Sequence, residues 1–187
     1  MNRDVDDINI LNKFTEGFCR VVEKFAKYII VSGFVAISHG RSRGTEDVDI
    51  MIERMSFEKF KEMHEALVEA GFECLYPLTV ENIYDNLVRK LNVRYSWEGV
   101  ELPNMEMKFA KDVLDDEQFE SRQKIEFTDL DIYFPKIEES IAFKEEFLGS
   151  EKDLEDAKYL RLIYEGKLDE DYIKKYKDKI RRVKFNE

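Results

Sequence analysis

Hydrophobic residues recur along this chain in two rhythms. Ile8, Leu11, Phe14, Phe18, Val21, Val22 and Phe25 fall three or four positions apart. That spacing predicts an amphipathic helix, capped by Asp6 or Asp7 and running to about residue 27. Residues 28–31 (YIIV) are an unbroken apolar run short enough for a buried strand. Ser32-Gly33 then opens a short helix to about residue 39, and residues 40–46 (GRSRGTE) read as a polar loop rich in turn formers. Residues 48–53 alternate between apolar and acidic, the rhythm of a second strand. Ser56 begins an amphipathic helix over 57–70 that Gly71 stops in a left-handed conformation. A strand follows over 72–76, then a helix from Thr79 to about residue 90. Two strands, 91–97 and 100–109, are joined by a turn at Glu98-Gly99. Residues 111–118 read as helix and 124–127 as a short strand. Pro135 suits the first position of a helix that runs to 147 and ends at Gly149. Helices over 152–164 and about 169–183 complete the pattern.

Strands alternate with helices to about residue 134, after which only helices follow. The expected fold class is therefore α/β (α+β): a mixed β-sheet flanked by helices, with a helical C-terminal region. The division is an α/β core over 1–134 and a helical region over 135–187 packed on it as one compact unit. A length of 187 residues and a hydrophobic content of 43% agree with a single packed domain. No apolar run reaches the roughly eighteen residues needed to cross a bilayer, and the opening MNRDVDDINI is acidic where a secretory signal is basic then apolar. Two distant cysteines, Cys19 and Cys74, supply neither a disulfide framework nor a CxxC zinc site. These features lead us to expect a cytoplasmic protein with no membrane partner. Thirty basic against 41 acidic residues, a net charge of −11, exclude broad phosphate-backbone coating. A nucleic-acid partner would have to meet a local basic patch, and residues 174–184 (KKYKDKIRRVK) are the one such stretch.

Chemistry concentrates in residues 28–53. Gly33 allows close backbone approach to a phosphate, and the helix behind it would turn free N–H groups toward that anion. The Ser32 hydroxyl is placed to cap that helix and to donate to a phosphate oxygen. Residues two apart on a strand face one side, so Asp47 and Asp49 project together. Two carboxylates about 4 Å apart repel by roughly 1–4 kcal/mol, and a Mg²⁺ (or Mn²⁺) ion between them relieves the repulsion and can bridge to phosphates. Arg41 and Arg43, in the intervening loop, are guanidinium forks suited to phosphate.

Ser32-Gly33, thirteen residues, then Asp47-Val48-Asp49-Ile50 on a strand resembles the signature of the nucleotidyltransferase (polymerase beta-like) superfamily. The resemblance implies a third carboxylate on a later strand. Glu106, within Asn104-Met105-Glu106-Met107-Lys108-Phe109, is the candidate, with Glu101 and Asp131 as fallbacks. The superfamily more often carries Asp there. A second block, residues 137–160, is similar to the small abortive-infection and toxin–antitoxin nucleotidyltransferase-like proteins of bacteria and archaea. In those a Lys on one helix precedes a Lys-Asp-x-x-Asp cluster. The matching positions are Lys144, then Lys152, Asp153 and Asp156. The resemblance implies transfer of a nucleoside monophosphate from a nucleoside triphosphate to a hydroxyl acceptor. Asp47, Asp49 and Glu106 would be both catalytic and metal-binding. Ser32, Gly33, Arg41, Arg43, Lys144, Asp153 and Asp156 would hold the nucleotide. It further implies an RNA (tRNA) 3′ end or a protein side chain as acceptor, a toxin-like role and an antitoxin-like partner. The competing expectation is a nucleotide-binding or interaction module of the same fold without turnover. His39 reads as a helix-terminal packing residue and His64 as incidental, since neither has the partners of a nucleophile–base pair.

Overall fold

The computed structural model describes residues 3–42 and 44–184, with the side chains of residues 3–9 left aside. Arg43 lies outside the described residues. The first helix, α1 (Arg3–Val22), starts earlier and ends earlier than its apolar stripe predicts. Its C-terminal turns at residues 23–26 bond back to Cys19, Val21 and Val22 and lead into β1 (Tyr28–Val31). A short helix α2 (Gly33–Ser38) and a loop precede β2 (Asp47–Ile52). Then come α3 (Phe57–Glu69), β3 (Phe72–Cys74), α4 (Val80–Val88), β4 (Val93–Trp97) and β5 (Asn104–Phe109). Ser56 and Thr79 accept the N3 backbone N–H of α3 and α4, and Gly71 takes a φ of 85° at the stop of α3.

Five strands form a mixed sheet in the order β1-β2-β5-β4-β3. Only β2 and β5 pair parallel; the other neighbours are antiparallel. One sheet face is wholly apolar, with Ile30, Val48, Ile50, Met105, Met107, Val93 and Tyr95 all buried. It is covered by α1, α3 and α4. Phe14 and Phe18 of α1 meet Trp97 and Phe72 edge to face, with ring centroids 5.2 and 5.1 Å apart. Each such buried ring contributes about 1.5–3 kcal/mol through area alone, and the ring pairing adds about 1 kcal/mol.

The opposite face is split. At one end Ile29, Met51, Ala110 and Phe119 form a small second core. Phe119 belongs to α5 (Val113–Ser121), which Asp112 caps by accepting from the N–H groups of Leu114 and Asp115. The other end of this face carries the acids and bases described below. A two-stranded ribbon, β6 (Gln123–Lys124) with β7 (Tyr133–Phe134), leads to the C-terminal helices. The short strand expected at 124–127 gives way to a 3₁₀ turn over Glu126–Thr128.

Pro135 stands two residues before α6 (Ile137–Phe143), which continues as a π-turn over Lys144–Leu148 and ends at Gly149, φ 67°. Two more helices follow, α7 (Glu151–Ile163), capped by Ser150, and α8 (Glu170–Lys184). Ile173, Tyr176 and Ile180 of α8 are buried, the docking stripe its periodicity predicts. Among the described residues no helix is long and apolar enough to cross a membrane.

Candidate functional site

Parallel pairing of β2 with β5 sets Asp47 beside Asn104 and Asp49 beside Glu106. Alternation along each strand then puts Asp47, Asp49 and Glu106 on the same face. Antiparallel pairing with β4 adds Arg94 opposite Glu106, and Val31 of β1 lies opposite Asp49. Ser32, the next residue after Val31, completes the group. Glu101 is exposed, and Asp131 is exposed and held by Lys124 at 2.7 Å; neither stands in this row.

Each acid has its own partner. Asp47 Oδ1 accepts from Asn104 Nδ2 at 2.6 Å. Burial raises the Asp49 pKa, and the charges of Glu106 and Asp47 raise it further. Nearby Lys108 and a hydrogen bond from Ser32 pull the other way. Glu106 is engaged on both oxygens: Oε2 accepts from Arg94 Nε and Nη2 at 3.1 and 2.9 Å, and Oε1 accepts from Asn92 Nδ2. Asp47 and Asp49 are the two acids of this row that could hold a divalent ion, while Glu106 already accepts from a guanidinium. In keeping with this, no group of three His, Cys, Asp or Glu among the described residues is arranged to hold a metal ion.

Ser32 departs from its expected use. Its side chain makes no cap hydrogen bond to α2 and lies near enough to Asp49 to favour its charged form. Ser32, not Gly33, carries the unusual backbone, with φ 64° and ψ −137°, a region that L-residues rarely occupy. Such a conformation costs roughly 1–3 kcal/mol and clusters at functional sites. Gly33 lies buried inside α2. With only six residues in α2, the positive charge for an anion must come from side chains.

A cavity of about 270 Å³ opens between the sheet, α5 and the α6 region, lined by Ser32, Asp115 and by Lys90, Lys108, Lys111 and Lys144; Asp47, Asp49 and Glu106 lie outside its lining. Its apolar wall is made by Phe109, Phe143 and Phe147. Asn92, which holds Glu106, lines it too, so the cavity adjoins the acidic row. The π-turn supplies Lys144, Phe147 and Leu148 to this wall; such turns are frequent where a helix has been adapted to a site. The volume lies a little below the roughly 300 Å³ at which ligand pockets begin, a size for a polyphosphate or a base more than for a whole nucleotide.

Lys144, Arg41, Asp153 and Asp156 gather behind the cavity. Lys144 is 2% exposed and donates to the fully buried Asp156 at 2.8 Å, with Asp153 at 3.8 Å. Arg41 turns to the same helix, pairing with Asp156 and, at 2.6 Å, with Glu155. Asp153 also accepts from the Ser150 hydroxyl, so it closes the N-terminal cap of α7. Of Lys144, Asp153 and Asp156, Lys144 reaches the cavity wall.

The histidines are structural. His39 Nδ1 donates to Val35 O at 2.6 Å and Nε2 accepts from Tyr164 at 2.9 Å; burial lowers its pKa. His64, expected to be incidental, meets the Tyr95 hydroxyl at 2.9 Å and so satisfies a phenol buried in the core. Three of the seven basic residues at 174–184 pair with the chain's own acids: Lys177 with Glu145, Lys179 with Glu117 and Arg181 with Glu146.

Sequence reasoning did not find Arg94, Asn92, Asn104, Lys90, Lys108 or Lys111. Asn104 and Lys108 alternate with Glu106 on one strand and were legible from that alternation. Arg94 required the register between β4 and β5.

No family model and no curated protein matches the chain. Among solved structures it is similar to the solution structure of the antibiotic-resistance factor ANT(2'')-Ia, an aminoglycoside nucleotidyltransferase. The TM-score is 0.56 at 12% sequence identity, over 98% of this chain and 95% of that one. At that identity the likeness is one of architecture: the chain has a nucleotidyltransferase-like fold.

Proposed function

We propose that this protein transfers a nucleoside monophosphate from a nucleoside triphosphate to an acceptor hydroxyl. The observation that carries the reading is the placement of Asp47 and Asp49 on one face of β2, beside a cavity lined by Ser32 and four lysines. Bound there, a Mg²⁺ (or Mn²⁺) ion would neutralise phosphate charge and polarise the α-phosphate. Asn104, by donating to Asp47, and Ser32, close to Asp49, would help to position the two carboxylates. Lys90, Lys108 and Lys111 hold the β- and γ-phosphates as point charges, with Lys144, paired to Asp156, in the wall behind them. The acceptor oxygen bonds to the α-phosphorus, the bond to the β-phosphate oxygen breaks, and pyrophosphate leaves. Such a reaction asks mainly for positioning and charge stabilisation. Glu106 is a poor base with both oxygens already accepting. Beside the cation the acceptor hydroxyl would be more acidic, and its proton would pass to Asp49 or to water.

The acceptor follows from the surface charge. A net charge of −11, with three of the basic residues of α8 held in internal ion pairs, weighs against an RNA end. A protein side chain, as in the toxin-type resemblance with its antitoxin partner, or a small polyhydroxylated molecule suits this surface better. A second reading, a nucleotide-binding module without turnover, is favoured by one observation, the guanidinium bound to Glu106. One experiment separates the two. The protein is incubated with each α-labelled triphosphate, Mg²⁺, and in turn tRNA, cell-extract protein and polyhydroxylated small molecules. We expect label on a non-RNA acceptor, lost in Asp47→Asn. Triphosphate binding with neither transfer nor pyrophosphate release would make the chain a binding module.

A further inference from the structure

One row across three strands reads Asp49, Glu106, Arg94. Among the described residues Asp47 accepts from the neutral amide of Asn104, and Asp49 has Lys108 and Ser32 nearby. Among the described residues Glu106 is the acid of this row that accepts from a cation, through Oε2, with Asn92 on Oε1, so three of its roughly four acceptor sites are taken. A guanidinium does not lose its proton at any ordinary pH, so the positive charge at this position is permanent.

We infer that the site takes a single divalent cation, on Asp47 and Asp49, and that Arg94, anchored by Glu106, stands where a second ion would otherwise bind. The inference rests on the nucleotidyl-transfer reading. Three carboxylates, one guanidinium and one dication are neutral together. A second dication would have to displace the Arg94 guanidinium from Glu106 against the charge of Lys108, next to Glu106 on the same face of β5. Arg94 is 41% exposed and bonds Glu106 through Nε and Nη2, which leaves its Nη1 edge for an oxygen of the incoming phosphate or acceptor. Glu106 is then a positioning residue for Arg94 and not a ligand.

The test counts ions. Mn²⁺ is titrated into the full chain with an equimolar non-hydrolysable triphosphate, and the free ion is read by electron paramagnetic resonance against nucleotide alone. We expect one bound ion per chain, still one in Glu106→Gln, two in Arg94→Gln, and one again in Arg94→Lys. Asp49→Asn should lose the ion. Two ions in the unaltered chain overturn the inference and leave nucleotidyl transfer standing. A count of zero in Glu106→Gln makes Glu106 a ligand and overturns it as well. One ion in both the unaltered chain and Arg94→Gln removes the part assigned to Arg94. No nucleotide-dependent ion at all sinks the inference together with the proposed function. The count on the unaltered chain needs no variant to fold, and Arg94→Lys checks the charge with little change of shape.

Discussion

Replacing Asp49 by Asn should make the free protein more stable while removing its ligand response. Asp49 lies about 7 Å along β2 from Asp47 and about 5 Å across the sheet from Glu106, by ordinary strand spacings. At an effective dielectric of about 20, a like-charge pair at such distances repels by roughly 2–3 kcal/mol. Lys108 and the Ser32 hydroxyl offset part of this, and Arg94 cancels much of Glu106. The net gain on neutralisation is then on the order of 1 kcal/mol, or roughly 2–4 °C in Tm for a chain of this length. The sign follows from linkage. The folded-state pKa of Asp49 is raised, chiefly by burial, so between the unfolded value near 3.9 and the folded value the native state binds more protons. The stability associated with Asp49 is fully present below about pH 3.9 and is lost as pH rises through the folded pKa. Asp49→Asn should therefore match the unaltered protein at about pH 4 and pull ahead toward pH 7, read by urea melts at both. With Mg²⁺ and a triphosphate the order should reverse, because only the unaltered protein gains ligand stabilisation. A variant less stable than the parent at pH 7 without ligand would refute the claim that these carboxylates are held together at a cost.

Ser32→Gly removes the strained non-glycine backbone and the hydroxyl together. Tm of the free protein should stay level or rise by roughly 0.5–1 kcal/mol equivalent, while triphosphate affinity falls in calorimetric titration. Lys144→Met breaks a buried pair with Asp156 and should cost roughly 3 kcal/mol in urea denaturation; a further Asp156→Leu should recover part of it, and no recovery would show that packing, not charge, fixes the π-turn. Burial lowers the His39 pKa, so the stability from its neutral form is present above the unfolded value near 6.5 and is lost as pH falls through the folded value. His39→Gln should flatten the fall in stability between about pH 6.5 and 5, measured by parallel urea melts.

Much of the scaffold was legible because local signals and tertiary needs agree. The apolar run at 28–31, the alternation ending in Asp47-Val48-Asp49, the caps at Ser56 and Thr79 and the stop at Gly71 each have a single physical reading, and the structure follows them. The paired projection of Asp47 and Asp49 follows from strand geometry alone. What stayed hidden depends on non-local register. A two-residue turn at Glu98-Gly99 followed at once by pairing would set Val100 opposite Trp97 and carry Leu91 opposite Glu106. The turn is present, with Val100 N bonded to Trp97 O, but residues 100–103 loop away and pairing resumes at Asn104. That shift brings Arg94, not Leu91, to Glu106. The use of the Ser32 hydroxyl was hidden for a similar reason: a serine before a short helix reads locally as a cap, and only the approach of Asp49 from β2 redirects it. The π-turn at Lys144–Leu148 leaves no mark in the helical periodicity.

The central claim is that Asp47 and Asp49 hold a cation that delivers a triphosphate to the lysine-lined cavity. Isothermal titration of each nucleoside triphosphate into the protein, with Mg²⁺ and then with excess chelator, tests it most directly. The account predicts saturable binding that disappears on chelation and in Asp47→Asn, and that weakens when Lys108 is replaced by Met. Binding that ignores both the metal and the carboxylates, or no binding at millimolar triphosphate, would contradict it.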